Sequence, residues 1–324
     1  VELGGYWYFT ANTLFEGVEL WRTDGTTAGT ALVKDINAGG ANSSPDWLTV
    51  YNGALYFAAN DGVHGTELWT SDGTAAGTTM VRDIRSGSSS ATPSDLVVVG
   101  GKLVFAAHDG VLGKELWSTD GTELGTTQVS DINSGVGSSS PTDLLLDWTG
   151  TQVYFRAFES TTGTELWRTD GTNAGTTLVA NIRPGSSSSS PAEFTNWNGR
   201  MVFRANDGTN GVELWVTDGT AAGTVLLADI RPGSISSTPT LSSSADFNGR
   251  LYFRANDGTT GVEVWSTDGT TAGTTLLTDL AAGIAGSFPI DFTPYNGDLY
   301  FSADDVATNG RELWKLTAGG SLTV

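Results

Sequence analysis

Apolar runs of about five residues alternate along the chain with segments rich in Gly, Asn, Asp, Ser and Thr, the pattern of strands separated by tight turns. No stretch places apolar residues at the spacing of a helix face. Residues Pro191 to Ile230 show the unit. Glu193–Trp197 reads as a first strand ending at Asn198-Gly199, a favoured hairpin turn. Arg200–Ala205 is the second strand, and the glycine-bearing turn Asn206–Gly211 leads into the third, Val212–Thr217. The turn Thr217–Thr224 leads to a fourth strand, Val225–Ile230, and a linker then runs to Pro239 and the next copy. Four consecutive strands joined this way predict an antiparallel meander.

The meander recurs. Glu-Leu-Trp stands at Glu19, Glu67, Glu115, Glu165, Glu213 and Glu312, and Glu-Val-Trp at Glu263, with the tryptophans 48 to 50 residues apart. Such a period marks a repeat architecture. One meander cannot cover its own apolar faces, whereas radial stacking buries both and leaves only short edges. Second strands can be counted at Tyr6–Phe9, Leu55–Phe57, Leu103–Phe105, Val153–Phe155, Met201–Phe203, Leu251–Phe253 and Leu299–Phe301. The expected fold is therefore an all-β, seven-bladed β-propeller of four-stranded antiparallel blades in one domain, 1–324. Its blades fall near 1–37, 46–84, 93–132, 141–182, 191–230, 239–280 and 289–324. Val1–Leu3 and Ser321–Val324 read as shortened strands, so each end falls at a blade boundary; in the rival arrangement the terminal strands share one blade.

Charge narrows the partners. Lys and Arg number 16 against 36 Asp and Glu, a net charge of −20, which repels phosphate backbones and argues against nucleic acid. No apolar run approaches the roughly 18 residues of a membrane span. The absence of cysteine excludes disulfides, thiolate metal sites and a cysteine nucleophile. With 43 Gly and abundant Ser and Thr, the composition fits an extracellular or cell-surface bacterial protein, and Val1 reads as a processed terminus or the edge of a fragment.

Residues that recur in every copy are most simply explained by the fold. The repeat tryptophans sit mid-strand, where an indole can wedge between neighbouring blades. Asp24, Asp72, Asp120, Asp170, Asp218 and Asp268 each precede Gly-Thr, the pattern of an Asx turn whose carboxylate accepts backbone amides. Asp61, Asp207 and Asp257 in the second turns read the same way. Calcium is the alternative, but it wants 6–8 oxygens and each turn offers one carboxylate. No other cofactor or metal is implied. The Glu of each Glu-Leu-Trp would be costly to bury unpaired. A six-residue loop Asn256–Gly261 would set Arg254 opposite Glu263, and Arg204 opposite Glu213 and Arg156 opposite Glu165 follow as cross-strand ion pairs. Ala58 and Ala106 replace the arginine in two copies, whose glutamates need other partners, and Lys34 and Arg85 are candidates in their own copies.

Glu-Leu-Trp-Arg-Thr-Asp-Gly-Thr at Glu19–Thr26 and its counterparts resemble the bacterial ELWxxDGT repeat family over nearly the whole chain. Copy seven departs, with Lys315-Leu316-Thr317-Ala318 after Trp314. The resemblance implies exported or surface-associated proteins of unassigned activity.

Function has to be sought where copies differ. His64 and His108 lie in equivalent turns and can share a metal with Asp61 or Asp109, or simply vary there as exposed residues. The serine runs Ser88–Ser90 and Ser186–Ser190 read as flexible linker cover. Asp95, Asp143, Glu193 and Asp291 each follow a proline by two residues, where copy two has Trp47. If first strands line a central tunnel, these acids form a partial ring at its mouth that can hold a cation or a basic segment, or they cap strand starts. Tyr51, Trp148, Trp197, Phe247 and Tyr295, before the first turns, form either a rim for stacking glycans or part of the core. No nucleophile elbow or Ser-His-Asp spacing is present. The reading that follows is a non-catalytic extracellular binding or structural module, with a protein, a surface glycan or its own copies as partner. A lectin-like propeller is the alternative, and a hydrolase or lyase with carboxylates at the tunnel mouth comes third.

Overall fold

The computed structural model describes residues 1–305 and 310–324, and residues 306–309 of the expected seventh blade lie outside them. The described residues are all-β: seven antiparallel sheets of four strands each, every sheet built from consecutive strands, the fold class of a seven-bladed β-propeller. The strand Glu2–Leu3 pairs with Tyr6–Thr13, and Leu322–Thr323 pairs with Gly310–Thr317. The terminal strands therefore do not share a sheet. No helix is long and apolar enough to cross a membrane among the described residues.

Contacts divide the chain into two compact units, Val1–Ser160 with Trp167–Thr177, and Thr161–Leu166 with Leu178–Val324. Within the first, Phe57, Phe105 and Phe155 on second strands are fully buried, and within the second Phe203, Phe253 and Phe301 are likewise. Each contributes on the order of 2–3 kcal/mol by leaving water. Several of the repeat tryptophans join one sheet to the one before it. Trp69 lies in a cluster with Val33 and Ile36, Trp117 with Val81 and Ile84, and Trp265 with Leu227 and Ile230. The indoles thus wedge between neighbouring sheets, as their mid-strand positions predict.

Six of the seven repeat glutamates are buried without an arginine, and Glu312 is half-buried. Ala255 pairs with Glu263 and Ala205 with Glu213, while Arg254 faces Val264 and Arg204 faces Leu214. The expected pairs of Arg254 with Glu263 and Arg204 with Glu213 are one residue out of register, because Asn256 and Asn206 still belong to their strands. Arg156 turns instead to Asp143 and Thr142, while Glu165 is held by other donors. Lys34 reaches the Thr78 carbonyl and Arg85 the Ser90 carbonyl, so neither side chain fills the role expected of it. Each of these six instead gathers its own linker. Glu213 Oε2 accepts the Ile230 N–H at 2.9 Å and the Ser237 hydroxyl at 2.5 Å, and Oε1 accepts the Ser237 N–H at 2.7 Å. Glu19 with Ser43, Glu115 with Ser139, Glu165 with Ser189 and Glu263 with Ser287 repeat this arrangement. The fourth strand ends at Ala228, short of the expected Ile230, because the Ile230 N–H serves Glu213.

Ser90, Ser188 and Ser189 are accordingly structural, which corrects the reading as flexible cover at these three positions, while Ser88, Ser89, Ser186, Ser187 and Ser190 are exposed. Ser189 is buried against Glu165, and Ser188 Oγ accepts the Thr164 N–H at 2.9 Å, as Ser90 Oγ does for Thr66. At the third turns, Asp218 Oδ1 accepts the N–H and hydroxyl of Thr220 at 2.9 and 2.7 Å, and its five counterparts do the same. The Thr220 hydroxyl holds the Asp218 carboxyl below its ordinary range. These are the Asx turns the sequence predicts.

Candidate functional site

Each first strand of sheets two to five and seven carries a bulge at the same point. Two residues oppose one fully buried Phe of the second strand: Trp47 and Leu48 at Phe57, Asp95 and Leu96 at Phe105, Asp143 and Leu144 at Phe155. In the second unit Glu193 and Phe194 oppose Phe203, and Asp291 and Phe292 oppose Phe301. The first residue of each pair is left-handed, with φ of 58° at Trp47, 57° at Asp95, 60° at Asp143, 60° at Glu193 and 59° at Asp291. Asp tolerates this conformation better than most residues, whereas a bulky Trp there is an outlier. Sheet six interrupts its register over a longer stretch, between Thr240 and Ala245.

The bulge places the acids in reach of the next sheet. Asp95 Oδ1 accepts the Asp143 N–H at 2.9 Å, and Asp143 pairs with Arg156 Nε at 3.1 Å. In the second unit Glu193 Oε2 accepts the N–H groups of Leu241 and Ser242 at 3.0 and 2.6 Å, and its other oxygen lies 3.8 Å from Arg204. Asp95 and Glu193 are thus partly engaged in holding neighbouring first strands, and Asp143 in pairing with the second strand of its own sheet. Asp291 is exposed, and its carbonyl accepts the Thr293 hydroxyl.

The five rim aromatics separate by environment. Tyr51, Trp197 and Phe247 are buried, and the Tyr51 hydroxyl donates to the Gly101 carbonyl at 2.6 Å. Trp148 and Tyr295 are exposed. Trp197 borders a cavity of about 260 Å³ with Asn198, Arg200 and Asp268. The histidines stay within their own turns: His64 Nδ1 lies 2.7 Å from Asp61 Oδ2, and His108 Nδ1 accepts the Gly110 N–H at 2.7 Å. Among the described residues, no three His, Asp or Glu side chains converge on a point where a metal could sit.

In the first unit a second cavity, also about 260 Å³, opens at the bulge that carries Trp47. Asp46, Trp47, Ala58, Thr92, Pro93 and Lys114 are among its walls. Trp47 is 43% exposed, and the Asp46 carboxylate accepts the Trp47 N–H at 2.8 Å. Lys114 reaches in from the third sheet and donates from Nζ to Ser94 Oγ at 2.9 Å. Burial lowers the Lys114 amine below its ordinary range, and nearby Asp95 opposes that shift. The site joins an indole face, hydroxyl groups, a carboxylate and an ammonium. Reasoning from sequence set Trp47 aside as the copy lacking an acid and did not single out Lys114. The available signal was the joint exchange of an acid for Trp47 and of an arginine for Ala58 in one copy.

No protein-family model matches the chain, and no curated protein matches it. Solved structures with a similar fold include oligopeptidase B from Leishmania major, at 13% identity and a TM-score of 0.54 over 99% of this chain and 47% of that one. A prolyl endopeptidase, from work on the role of inter-domain dynamics in catalysis and specificity, matches at 14% identity and 0.53 over 100% and 48%. Prolyl oligopeptidase B from Galerina marginata matches at 10% and 0.52 over 98% and 48%. At these identities the likeness is one of fold. The chain spans about half the length of these three solved chains. The expectation of a non-catalytic scaffold, or of a lectin in its place, is corrected here: the similar propellers form about half of peptidase chains.

Proposed function

We propose that this propeller is one part of a hydrolase of the peptidase type, docked through the tips of its second turns against a second folded part that carries the chemistry. The observation that supports this reading is a row of exposed apolar side chains in the first unit. In a four-stranded meander the second turn and the outgoing linker lie at one end of the sheet. At that end Leu14 and Phe15, Val63 and Val111 occupy the second turns of three successive sheets, and Val136 lies in the linker after the third sheet. Leu14 is 95% exposed and Phe15 81%. Gly62 and Gly110, in two of those turns, lie against Asn37 and Arg85 of the preceding linkers, so the tips are held in place. The other end of these sheets carries Trp7 and Leu124 without a matching succession of turns. Apolar groups repeated at one end of adjacent sheets mark a protein–protein surface. The fold likeness to peptidase propellers supplies the class of partner.

The test compares the protein in its full native length, the propeller alone, and the full-length triple variant Phe15→Ser, Val63→Ser, Val111→Ser on fluorogenic peptides of increasing length. Turnover by the full-length protein alone, with a length preference relaxed in the triple variant, is expected. A full-length protein that cleaves none of the peptides overturns the reading.

A further inference from the structure

The cavity at Trp47 stands at a place that an arginine fills in the fifth copy. In the second unit Arg204 leaves the second strand beside bulge residue Glu193, lies 3.8 Å from its carboxylate, and donates at 3.3 Å to the carbonyl of Pro239 at the start of the next sheet. In the first unit Ala58 stands at the matching register, opposite Asp46, and the matching proline is Pro93. Ala58 and Pro93 both border the cavity. Two exchanges in one copy therefore act together: loss of the guanidinium opens the space, and loss of the bulge carboxylate turns an indole toward it. The positive charge returns as Lys114, whose Nζ donates one hydrogen bond to Ser94 and keeps donors in reserve. In the fourth copy Arg156 pairs with the bulge carboxylate of Asp143; in the second copy the bulge carries no carboxylate, and Lys114 has Asp95 of its own sheet nearby.

We infer that this cavity binds a carboxylate carried next to an apolar side chain, as at the C-terminus of a peptide or at an acidic residue beside a hydrophobic one. The carboxylate takes the spare N–H groups of Lys114, the apolar group covers the Trp47 indole, and Asp46 accepts an amide N–H of the same ligand. Burial strengthens the ammonium–carboxylate contact relative to one in open water. Only the choice of a peptide rests on the peptidase reading; the pocket and its chemistry stand on the residues named.

The probes are acetyl-Ala-Ala-Phe as free acid, the same peptide as C-terminal amide, and acetyl-Ala-Glu-Phe-amide, titrated calorimetrically into the protein. Binding of a carboxylate-bearing probe, weakened about tenfold or more by Lys114→Met and abolished by Ala58→Arg, is expected. Ala58→Arg restores the side chain that other copies carry, so its unfolding temperature serves as the control for folding. Preference for the free acid assigns the site to a C-terminus, and equal binding of the glutamyl amide assigns it to an acidic side chain. The inference is overturned if acetyl-Ala-Ala-Phe-amide binds as well as its acid, if no probe binds, or if Ala58→Arg binds like the parent. Binding without hydrolase activity in the full-length protein overturns only the peptidase reading, and hydrolysis with an empty pocket overturns only this one.

Discussion

Ala91 gives Glu67 Oε1 a backbone N–H at 3.0 Å and nothing from its side chain, whereas Ser139 gives Glu115 both its N–H and its hydroxyl. Both carboxylates are fully buried. Burial pushes Glu67 up to about 7, against the backbone N–H groups that favour its charged form. Burial raises Glu115 too, with the Ser139 hydroxyl opposing it most strongly. One missing oxygen thus singles out the second copy.

Ala91→Ser is expected to raise stability by about 1–3 kcal/mol at pH 8, the range for a hydrogen bond to a charged group, and by less at pH 5. The sign follows from linkage. A carboxyl whose folded pKa of about 7 exceeds its ordinary 4.5 binds more protons folded than unfolded between those values, so it lowers stability as pH rises through that window. The added hydroxyl favours the ionised form and flattens this slope. Urea unfolding at pH 5, 6, 7 and 8 measures it; parallel pH profiles for parent and variant would show that the hydroxyl does not reach Glu67.

Gly121 and Gly25 hold the same place in two Asp-Gly-Thr turns, at φ of 97° and 90°, but only Gly121 touches a neighbour. A Cβ on Gly121 would stand 2.5 Å from the Tyr56 hydroxyl of the preceding sheet, while one on Gly25 meets nothing within 4 Å. Gly25→Ala should cost about 1–2 kcal/mol from backbone strain alone. Gly121→Ala should cost about 1 kcal/mol more, the range for overpacking a close contact. Thermal unfolding of both variants reads the difference; equal losses would mean that Tyr56 moves aside freely.

His64 is drawn upward chiefly by its hydrogen bond to the Asp61 carboxylate, 2.7 Å away. An NMR titration of the imidazole should place it above 6.5, and Asp61→Asn should return it toward that value. Stability contributed by this pair is present below 6.5 and disappears as pH rises through the folded value. A His64 midpoint unmoved by Asp61→Asn would sever the two residues.

Strands and turns were legible because their signals are local. Asn198-Gly199 and Asp218-Gly219-Thr220 dictate backbone conformation within a few residues, and the alternation between them sets each strand. The partners of the buried glutamates were harder to read. Treating Asn256 as loop moved the register by one residue, which exchanges the faces of the strand and brings Arg254 to Glu263 on paper only. The true partner was visible in a different form: Ser43, Ser139, Ser189, Ser237 and Ser287 each stand 24 residues after a repeat glutamate. The bulges left almost no trace, since their left-handed residues are Trp, Asp and Glu instead of Gly. Without the bulges, neither the bonding of Asp95 and Glu193 to the next sheet nor the cavity at Trp47 can be derived.

Glu193 and Asp291 share a backbone conformation but differ in what their side chains hold, so a paired substitution to glycine separates strain from bonding. Glycine relieves the left-handed strain at both sites, by about 1–2 kcal/mol, and costs about 0.5–1 kcal/mol in chain entropy. At Asp291, exposed to solvent, those effects nearly cancel and Asp291→Gly should leave stability within about 1 kcal/mol of the parent. Glu193→Gly also removes the acceptor for the N–H groups of Leu241 and Ser242 and the partner of Arg204. It should therefore be less stable than Asp291→Gly by about 1–3 kcal/mol, as expected when hydrogen bonds to a charged acceptor are lost. Amide exchange at Leu241 and Ser242 gives a second readout, since protection there should fall in Glu193→Gly and stay unchanged in Asp291→Gly. Equal stability and equal protection in the two variants would free Glu193 from its place between the fifth and sixth sheets and return it to the set of acids available for a ligand.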